Sequence, residues 1–181
     1  MDSIGIDGFR CDVAGEVPTD FWNWAMADLR QSHPDMFTLA EDEDKAQELT
    51  ESAFDMYYGW SLHHVMNDVA QGKKGVEDIW ANFAKADSTI RPEAIRMNFI
   101  SNHDENSWNG TEQERMGDAV PLFQAFCYVI PGMTRNLLTR RMLQQKDDFS
   151  CNLRMIKPSH HPLSARSQSH HFLQAAKQHS L

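Results

Sequence analysis

Three short motifs in the chain each follow or continue a short apolar run and each end in a carboxylate. They are Gly-Phe-Arg-Cys-Asp at 8–12, Leu-Ala-Glu at 39–41 and Asn-His-Asp at 102–104. Each carboxylate is therefore expected where a strand ends. Three acids from successive strand ends match the needs of a glycosidase, which uses a nucleophile, a proton donor and a third acid to orient the sugar. The motifs predict a site of that kind.

Arg10 and Asp12 stand two residues apart in the first motif. Side chains alternate along a strand, so both are expected on one face and Cys11 on the other. The guanidinium would keep the carboxylate ionised and oriented through a charge-assisted hydrogen bond. An ordinary structural ion pair is the alternative interpretation. Because a buried strand is a costly place for two charges, we favour a functional pair.

The elements that must position these motifs alternate between strand and helix. Short apolar or aromatic runs predict four strands, at 4–13, 36–40, 54–60 and 95–100. Apolar residues at helical spacing predict three helices, at 18–31, at 62–72 and from about 113 to 130. This order and spacing are typical of parallel βαβ units. Acids at the carboxyl ends of such strands match the sites of (β/α)8 barrel enzymes, so we expect an α/β fold of about half a barrel.

The order and the local sequence of the motifs resemble the α-amylase family, glycoside hydrolase family 13, from about residue 4 to residue 133. The resemblance implies a partial TIM (β/α)8 barrel comprising about its fourth to seventh β/α units. It also implies catalytic roles for three carboxylates: Asp12 as the nucleophile of a retaining mechanism, Glu41 as the general acid/base and Asp104 as a sugar-orienting acid. Arg10 would orient Asp12, and His103 would donate a hydrogen bond to the sugar.

Residues 41–44 are four consecutive acids, and such a run usually forms a solvated loop. The residues alone therefore do not decide which of the four is the general acid. The resemblance selects Glu41, since the family places its acid directly after the strand and a small residue, here Ala40. Glu43 is the alternative. The family more often has glycine at the position of Ala40.

Four aromatic residues near the predicted strand ends could stack on sugar faces: Tyr57, Tyr58, Trp60 and Trp108. Aromatic side chains at such positions are more often part of the core, so we assign none of them to the site.

Several features of the family have no counterpart in this chain. Its first motif and its first three barrel strands are absent, as is an eighth strand in frame. Many α-amylases carry a Lys-His pair after the nucleophile, where this chain has Gly15 and Glu16. Family members often bind calcium through the first half of the barrel. We therefore expect no metal or other cofactor in this chain, although calcium belongs to the expectation for a complete enzyme.

Composition excludes several classes of protein. At 181 residues the chain is too short for a complete barrel of about 250. A formal charge of −9 argues against binding to nucleic acid, which requires clustered cations. No run approaches the roughly 20 apolar residues of a membrane span, and the N-terminus lacks the features of a signal peptide. The expected partner is an oligo- or polysaccharide, and the sequence indicates no compartment.

The chain changes character after residue 133. Residues 1–133 carry 9 basic and 24 acidic side chains, a net charge of −15, whereas residues 134–181 carry 8 and 2, a net charge of +6. We interpret 1–133 as the partial catalytic barrel and 134–181 as a basic tail, either disordered or translated out of frame. Its paired histidines are not expected to bind metal, because neighbouring side chains point apart and no third ligand is spaced to join them.

The sequence thus predicts a retaining glycoside hydrolase acting on α-glucans such as starch and maltooligosaccharides. Half a barrel leaves two open sheet edges, so we expect the chain alone to fold poorly and to have little activity. One alternative is a non-catalytic sugar-binding protein on the same fold, which would have no need to keep all three carboxylates. The other is a transglycosylase of the family, in which a sugar acceptor replaces water.

Overall fold

Five parallel strands, paired in the order of the sequence, form the centre of the computed structural model, which describes residues 5–135. They are β1 (Gly8–Cys11), β2 (Phe37–Ala40), β3 (Met56–Tyr58), β4 (Ile95–Asn98) and β5 (Met133–Thr134). Each strand pairs in parallel with the next one along the chain, as in repeated βαβ units. Within the described residues β1 and β5 each have one partner, so both are edge strands.

Seven α-helices and two short 3-10 helices connect the strands between residues 5 and 135. The α-helices are α1 (Thr19–Ser32), α2 (Ala46–Ser52), α3 (Trp60–Ala70), α4 (Val76–Thr89), α5 (His103–Trp108), α6 (Glu112–Met116) and α7 (Val120–Val129). The 3-10 helices are Ala14–Glu16 and Gly117–Ala119. Side-chain caps begin two of the α-helices. Asn102 Oδ1 accepts from the N–H of Glu105 at 2.7 Å, and Thr111 Oγ1 accepts from the N–H of Glu114 at 3.3 Å.

Glycine is required where β1 enters the sheet. Gly8 pairs with Phe37, and a Cβ at this position would lie 1.8 Å from the carbonyl oxygen of Phe37. This close approach sets the register in which Cys11 pairs with Ala40. As a result, the residues that follow β1 and β2 emerge side by side at the carboxyl edge of the sheet.

The two faces of the sheet bury different side chains. One face carries an apolar cluster of residues from β2, β3 and β4: Leu39, Met56, Tyr58, Met97 and Phe99. Arg10 reaches Tyr58 and so lies on this face. Cys11 instead packs against the cluster that contains Ala14 and Met26, between the sheet and α1. This arrangement confirms the predicted alternation of side chains along the first strand.

All four predicted strands are present, but each is shorter than its apolar run. The helix predicted from about residue 113 is wrong as one element. It divides into α6, a 3-10 turn and α7, because Gly117 adopts a left-handed φ of 54°. The sequence analysis also missed α2, α4 and α5. Polar residues occupy most positions of the short helices α2 and α5, which hides the apolar period, whereas α4 does carry Val76, Ile79, Trp80 and Phe83 at helical spacing, a signal that the sequence analysis passed over.

The described residues extend just past the predicted boundary at 133. Strand β5 includes Thr134, and the N–H of Arg135 donates to the Asn98 carbonyl at 2.9 Å. The predictions for the basic tail concern residues that, beyond Arg135, lie outside the described part of the chain. Among residues 5–135, no helix has the length and apolar character to cross a membrane.

Candidate active site

Asp12 and Glu41 occupy neighbouring positions at the carboxyl edge of the sheet. The pairing of Cys11 with Ala40 ends both strands at the same level, and the N–H of Glu41 donates to the Cys11 carbonyl at 3.0 Å. Each acid is the first residue after its strand. The structure therefore brings the first two predicted carboxylates together, 29 residues apart in sequence.

The Arg10 guanidinium links these two carboxylates. Nη1 donates to Asp12 Oδ1, and Nη2 pairs with Glu41 Oε1. The Asp12 side chain is 72 % exposed, whereas those of Arg10 and Glu41 are 19 % and 11 % exposed. The expectation that Arg10 and Asp12 are both buried is therefore wrong for Asp12. It projects beyond the end of β1 at Cys11, where the sheet no longer covers it.

The two carboxyl groups have pKa values shifted in opposite directions. Hydrogen bonds from Arg10 and then from Glu41 lower the pKa of Asp12. Burial raises the pKa of Glu41, and the neighbouring Asp12 adds to this rise against the opposing effects of Arg10 and the Val13 N–H. Asp12 is thus held ionised, while Glu41 retains a proton to higher pH. A carboxyl group that ionises more readily, beside one that keeps its proton to higher pH, is the difference that a retaining glycosidase requires between its nucleophile and its acid.

Val13 adopts a strained backbone conformation directly after Asp12. Its φ and ψ are both 45°, in the left-handed region that β-branched residues rarely occupy. This turn aims the Val13 N–H at Glu41 Oε2, 3.0 Å away. Both oxygens of Glu41 are consequently held, one by Arg10 and one by the backbone.

The remaining acids of the run at 41–44 have local structural partners or point to solvent. Asp42 Oδ1 accepts from the N–H of Lys45 at 2.6 Å, in the turn that leads to α2. The Glu43 carboxylate accepts from the N–H and the hydroxyl of Ser61, with the hydroxyl at 2.6 Å, near the start of α3. Asp44 is exposed. Within this run, Glu41 is the acid that contacts the Arg10 and Asp12 pair.

The third motif lies at the end of β4 and at the start of α5. Asn102 is completely buried and caps the helix, whereas His103 and Asp104 are 46 % and 45 % exposed in their side chains. His103 Nε2 lies 3.5 Å from Asp104 Oδ2. His103 makes a small electrostatic contribution to the low pKa of Asp12, after Arg10 and Glu41, which indicates that the third motif lies toward the same edge of the sheet as the first.

A buried polar cluster supports the third motif from behind. His63 Nε2 lies 3.2 Å from Glu105 Oε2, and the His63 Nδ1 lies 3.3 Å from the Phe99 carbonyl. Arg115 Nη2 donates to the Ile100 carbonyl at 2.7 Å, and Nε lies 3.9 Å from the same Glu105 oxygen. Burial lowers the pKa of both His63 and Arg115, against the opposing effect of Glu105.

This cluster was not predicted from the sequence. Its residues come from α3, α5 and α6, and helical periodicity does not mark polar side chains that meet across elements. The Thr111 and Glu114 capping box was the available local signal, since it places Arg115 inside a short helix beside the third motif.

The aromatic residues near the strand ends are mostly enclosed. Tyr57 and Tyr58 are 4 % and 0 % exposed and present no face to a sugar, as the sequence analysis favoured. Trp60 stacks on Tyr58 with ring centroids 5.7 Å apart. Trp108, at the end of α5, is 84 % exposed. Between residues 5 and 135 no group of His, Cys, Asp and Glu side chains is arranged to hold a metal ion.

No family model matches the chain. Two curated relatives match parts of it. The α-1,4-glucan:maltose-1-phosphate maltosyltransferase of Picrophilus torridus is 36 % identical over 66 residues, which cover 33 % of this chain and 10 % of the relative. The α-amylase MalA of Haloarcula japonica is 25 % identical over 103 residues, which cover 57 % of this chain and 16 % of the relative. The match therefore spans less than a fifth of either relative.

Solved structures of related enzymes match a larger share of the chain than the curated relatives do. An α-amylase from Lactobacillus plantarum superposes with a TM-score of 0.55 at 27 % identity, covering 73 % of this chain and 34 % of that one. A cyclic α-maltosyl-(1→6)-maltose hydrolase from Arthrobacter globiformis, in complex with maltose, superposes at 0.61 with 18 % identity. It covers 74 % of this chain and 31 % of the hydrolase and shows the likeness of the fold alone. Over this part of its length, the chain has an α/β fold with a parallel sheet similar to the catalytic domains of enzymes of the α-amylase family, glycoside hydrolase family 13.

Proposed function

We propose that residues 5–135 carry the catalytic groups of a retaining glycoside hydrolase that acts on α-glucans such as starch and maltooligosaccharides. One observation carries the proposal: Arg10 holds Asp12 and Glu41 together while their pKa values shift in opposite directions. Such close contact suits a retaining mechanism, in which the two carboxyl groups are about 5–5.5 Å apart, better than the wider separation of an inverting one.

In the first step Asp12 acts as the nucleophile. Its ionised oxygen bonds to the anomeric carbon as the bond from that carbon to the leaving oxygen breaks. Glu41 gives its proton to the leaving oxygen, so the departing sugar leaves as a neutral alcohol and Glu41 becomes a carboxylate. The high exposure of Asp12 lets a sugar reach it, and the low pKa of Asp12 keeps it available for attack.

In the second step Glu41 acts as a base. It takes a proton from water, the water oxygen bonds to the anomeric carbon, and Asp12 leaves as a carboxylate. Two inversions return the α configuration. In the intermediate the esterified Asp12 carries no charge, so the Arg10 guanidinium balances the charge of the Glu41 carboxylate, which it contacts.

Three further side chains complete the proposed site. Asp104 would accept hydrogen bonds from the sugar hydroxyls, and His103 would donate one to the same sugar. Arg10 orients the nucleophile.

We further propose that the five parallel strands are part of a (β/α)8 barrel: β1 to β4 and the helices that follow them correspond to about its fourth to seventh units, and β5 is the strand that comes next. The uniform strand order and the two edge strands support this assignment. Within residues 5–135, β1 and β5 each leave one edge unpaired and so expose backbone hydrogen-bonding groups. We therefore expect the chain alone to fold poorly and to hydrolyse its substrate slowly.

A transglycosylase is the second candidate, favoured by the similarity to a maltosyltransferase. It would form the same intermediate on Asp12, and a sugar hydroxyl would replace water in the second step. A non-catalytic sugar-binding protein is the third. Product analysis separates these functions: a hydrolase releases shorter sugars from maltoheptaose, a transferase also makes longer ones, and a binding protein makes neither.

The test is covalent trapping, which detects even a single slow turnover. The full chain is incubated with a fluorinated α-maltosyl fluoride, whose glycosyl-enzyme intermediate hydrolyses slowly, and the labelled peptide is identified by mass spectrometry. We expect the adduct on Asp12. D12N should prevent it, whereas D7N, which removes an exposed carboxylate of the same segment, should not.

An adduct on another residue would overturn the assignment of the nucleophile. Absence of any adduct, together with maltoheptaose binding that D104N weakens, would establish the sugar-binding alternative. Absence of both labelling and binding would reject every function proposed for this site.

A further inference from the structure

Tyr58 occupies a fixed position beneath the proposed catalytic pair. It is the last residue of β3, and its side chain is fully buried. Its ring stacks on Trp60, with centroids 5.7 Å apart, and meets the edge of Phe99 at 5.6 Å. The surrounding rings leave Tyr58 little freedom to move, so the place of its hydroxyl group is set by the core.

The Tyr58 hydroxyl accepts hydrogen bonds from two arginines. Arg10 Nε lies 3.3 Å from the oxygen, and Arg135 Nη1 lies 2.8 Å from it. The Arg10 Cζ is also 5.8 Å from the centroid of the Tyr58 ring, within the range of a cation–π contact. Burial opposes the charge on Arg10, yet Tyr58 and Glu41 raise the pKa of this guanidinium above its usual value.

Each nitrogen of the Arg10 guanidinium therefore has a different partner. Nη1 pairs with Asp12, Nη2 pairs with Glu41 and Nε donates to Tyr58. A guanidinium is planar, and its donors have a fixed relative geometry. Fixing Nε consequently fixes the directions in which the two Nη groups point.

From this geometry we infer that Tyr58 is a positioning residue for the Asp12 and Glu41 pair, acting through Arg10. The inference rests on the proposed function for the catalytic role of the two carboxyl groups. Without the hydroxyl, Nε loses its acceptor in a largely buried place, and the guanidinium gains freedom to turn away from Asp12. Asp12 would then lose the partner that contributes most to its low pKa.

The test compares two isosteric variants on one strand. Y58F removes the hydroxyl that contacts Arg10. Y57F is the matched control, because Tyr57 is equally enclosed on the same strand and alternation turns it to the other face. The apparent pKa of Asp12 is measured in the full chain by NMR titration of its side-chain carboxyl carbon. We expect an upward shift toward the usual aspartate value in Y58F and none in Y57F.

The inference would be overturned if the pKa of Asp12 were the same in Y58F as in the wild type. It would also be overturned if Y57F shifted this pKa as much as Y58F does. A double-mutant cycle with R10K adds a second requirement. If Tyr58 acts through Arg10, then Y58F should shift the pKa of Asp12 much less in the R10K background. An undiminished shift there would mean that Tyr58 acts on the fold in general, and would also overturn the inference.

One measurement needs only the wild-type chain and so remains available if Y58F does not fold. The Nε–H of Arg10 should give a separate NMR signal with slow solvent exchange and restricted rotation of the guanidinium. Rapid rotation would contradict the inference. These titrations need no turnover, so failure of the trapping experiment with a normal Asp12 shift would reject the proposed function and leave the structural role of Tyr58 intact.

Discussion

Two clusters in this chain combine an arginine with acidic side chains, and they differ in their access to water. In the first, Arg10 pairs with Asp12 and Glu41 at the open edge of the sheet, and Asp12 is 72 % exposed. In the second, Arg115 lies beside Glu105 behind the Asn-His-Asp motif, and their side chains are 7 % and 10 % exposed. The second cluster also includes the completely buried His63.

The comparison shows that the environment, and not the type of residue, assigns each cluster its role. Arg115 donates hydrogen bonds to backbone carbonyls and amide side chains from several segments, so its guanidinium holds these segments together. Asp12 has one oxygen paired with Arg10 and lies open to solvent, so it can meet a substrate. An enclosed and well-paired charge supports the fold, whereas an exposed and partly paired charge can react.

The largest expected effect is on catalysis in the first cluster. In E41Q, hydrolysis of maltoheptaose should fall by about 10²–10⁴-fold, the usual contribution of a general acid/base. Labelling by a maltosyl fluoride should fall far less, because fluoride needs little help from an acid. Both rates are measured at high protein concentration with single-turnover kinetics.

E43Q is the control for this prediction, because the Glu43 carboxylate is hydrogen bonded to Ser61 near the start of α3. An equal loss of hydrolysis in E43Q would move the general acid to Glu43. A loss in neither variant would remove both acids from the mechanism.

The next largest effect is on stability in the second cluster. R115M should lower the free energy of unfolding by about 3–5 kcal/mol, since it leaves Glu105 buried without its cation and several carbonyls without a donor. Urea unfolding monitored by tryptophan fluorescence measures the loss. R91M removes an exposed arginine and should change stability by less than about 0.5 kcal/mol. Equal losses in the two variants would show that Arg115 does not join the segments around the motif.

Acid should destabilise the second cluster through His63. Burial lowers the pKa of His63 in the folded chain, so between that value and about 6.5 the unfolded chain binds more protons. The free energy of unfolding should therefore fall as the pH is lowered through this window. Urea unfolding at pH 7.5 and at pH 5.5 measures the change.

H63Q is the reference for this pH dependence and should show a smaller fall. The raised pKa of Glu41 acts in the opposite direction, because its stabilising contribution is present at low pH and is lost as the pH rises. Glu41 is present in both proteins, so the difference between their slopes isolates His63. An identical slope would show that His63 keeps an ordinary pKa in the folded chain.

The smallest expected effect concerns backbone strain in the first cluster. V13G should raise the free energy of unfolding by up to about 1 kcal/mol. The left-handed conformation costs an L-residue about 1–2 kcal/mol, and glycine removes this cost. Part of the gain is lost, because glycine also increases the conformational entropy of the unfolded chain. The nearby V17G is the control and should be destabilising, since Val17 has extended backbone with φ −97°. Thermal unfolding of the two variants should move in opposite directions, and a loss in V13G would exclude strain at this position.

Much of the candidate site followed from local sequence. The apolar runs before Asp12 and Glu41 predicted two strand ends correctly, whereas Asp104 lies six residues beyond β4, within α5. Alternation predicted the shared face of Arg10 and Asp12. These features depend on neighbouring residues alone, because side-chain direction along a strand has a period of two. The strand order also followed from the alternation of elements, since short connections keep consecutive units adjacent.

Other features depended on contacts between residues far apart in the chain. The contact of Glu41 with Arg10 came from the register of β1 with β2, and the enclosure of Tyr58 came from Trp60 and Phe99. The meeting of Arg115 with Glu105 required α5 and α6 to pack against α3. A local pattern sets which way a side chain leaves its own element, but burial, ion pairing and pKa depend on the elements packed around it, so only the tertiary structure reveals them.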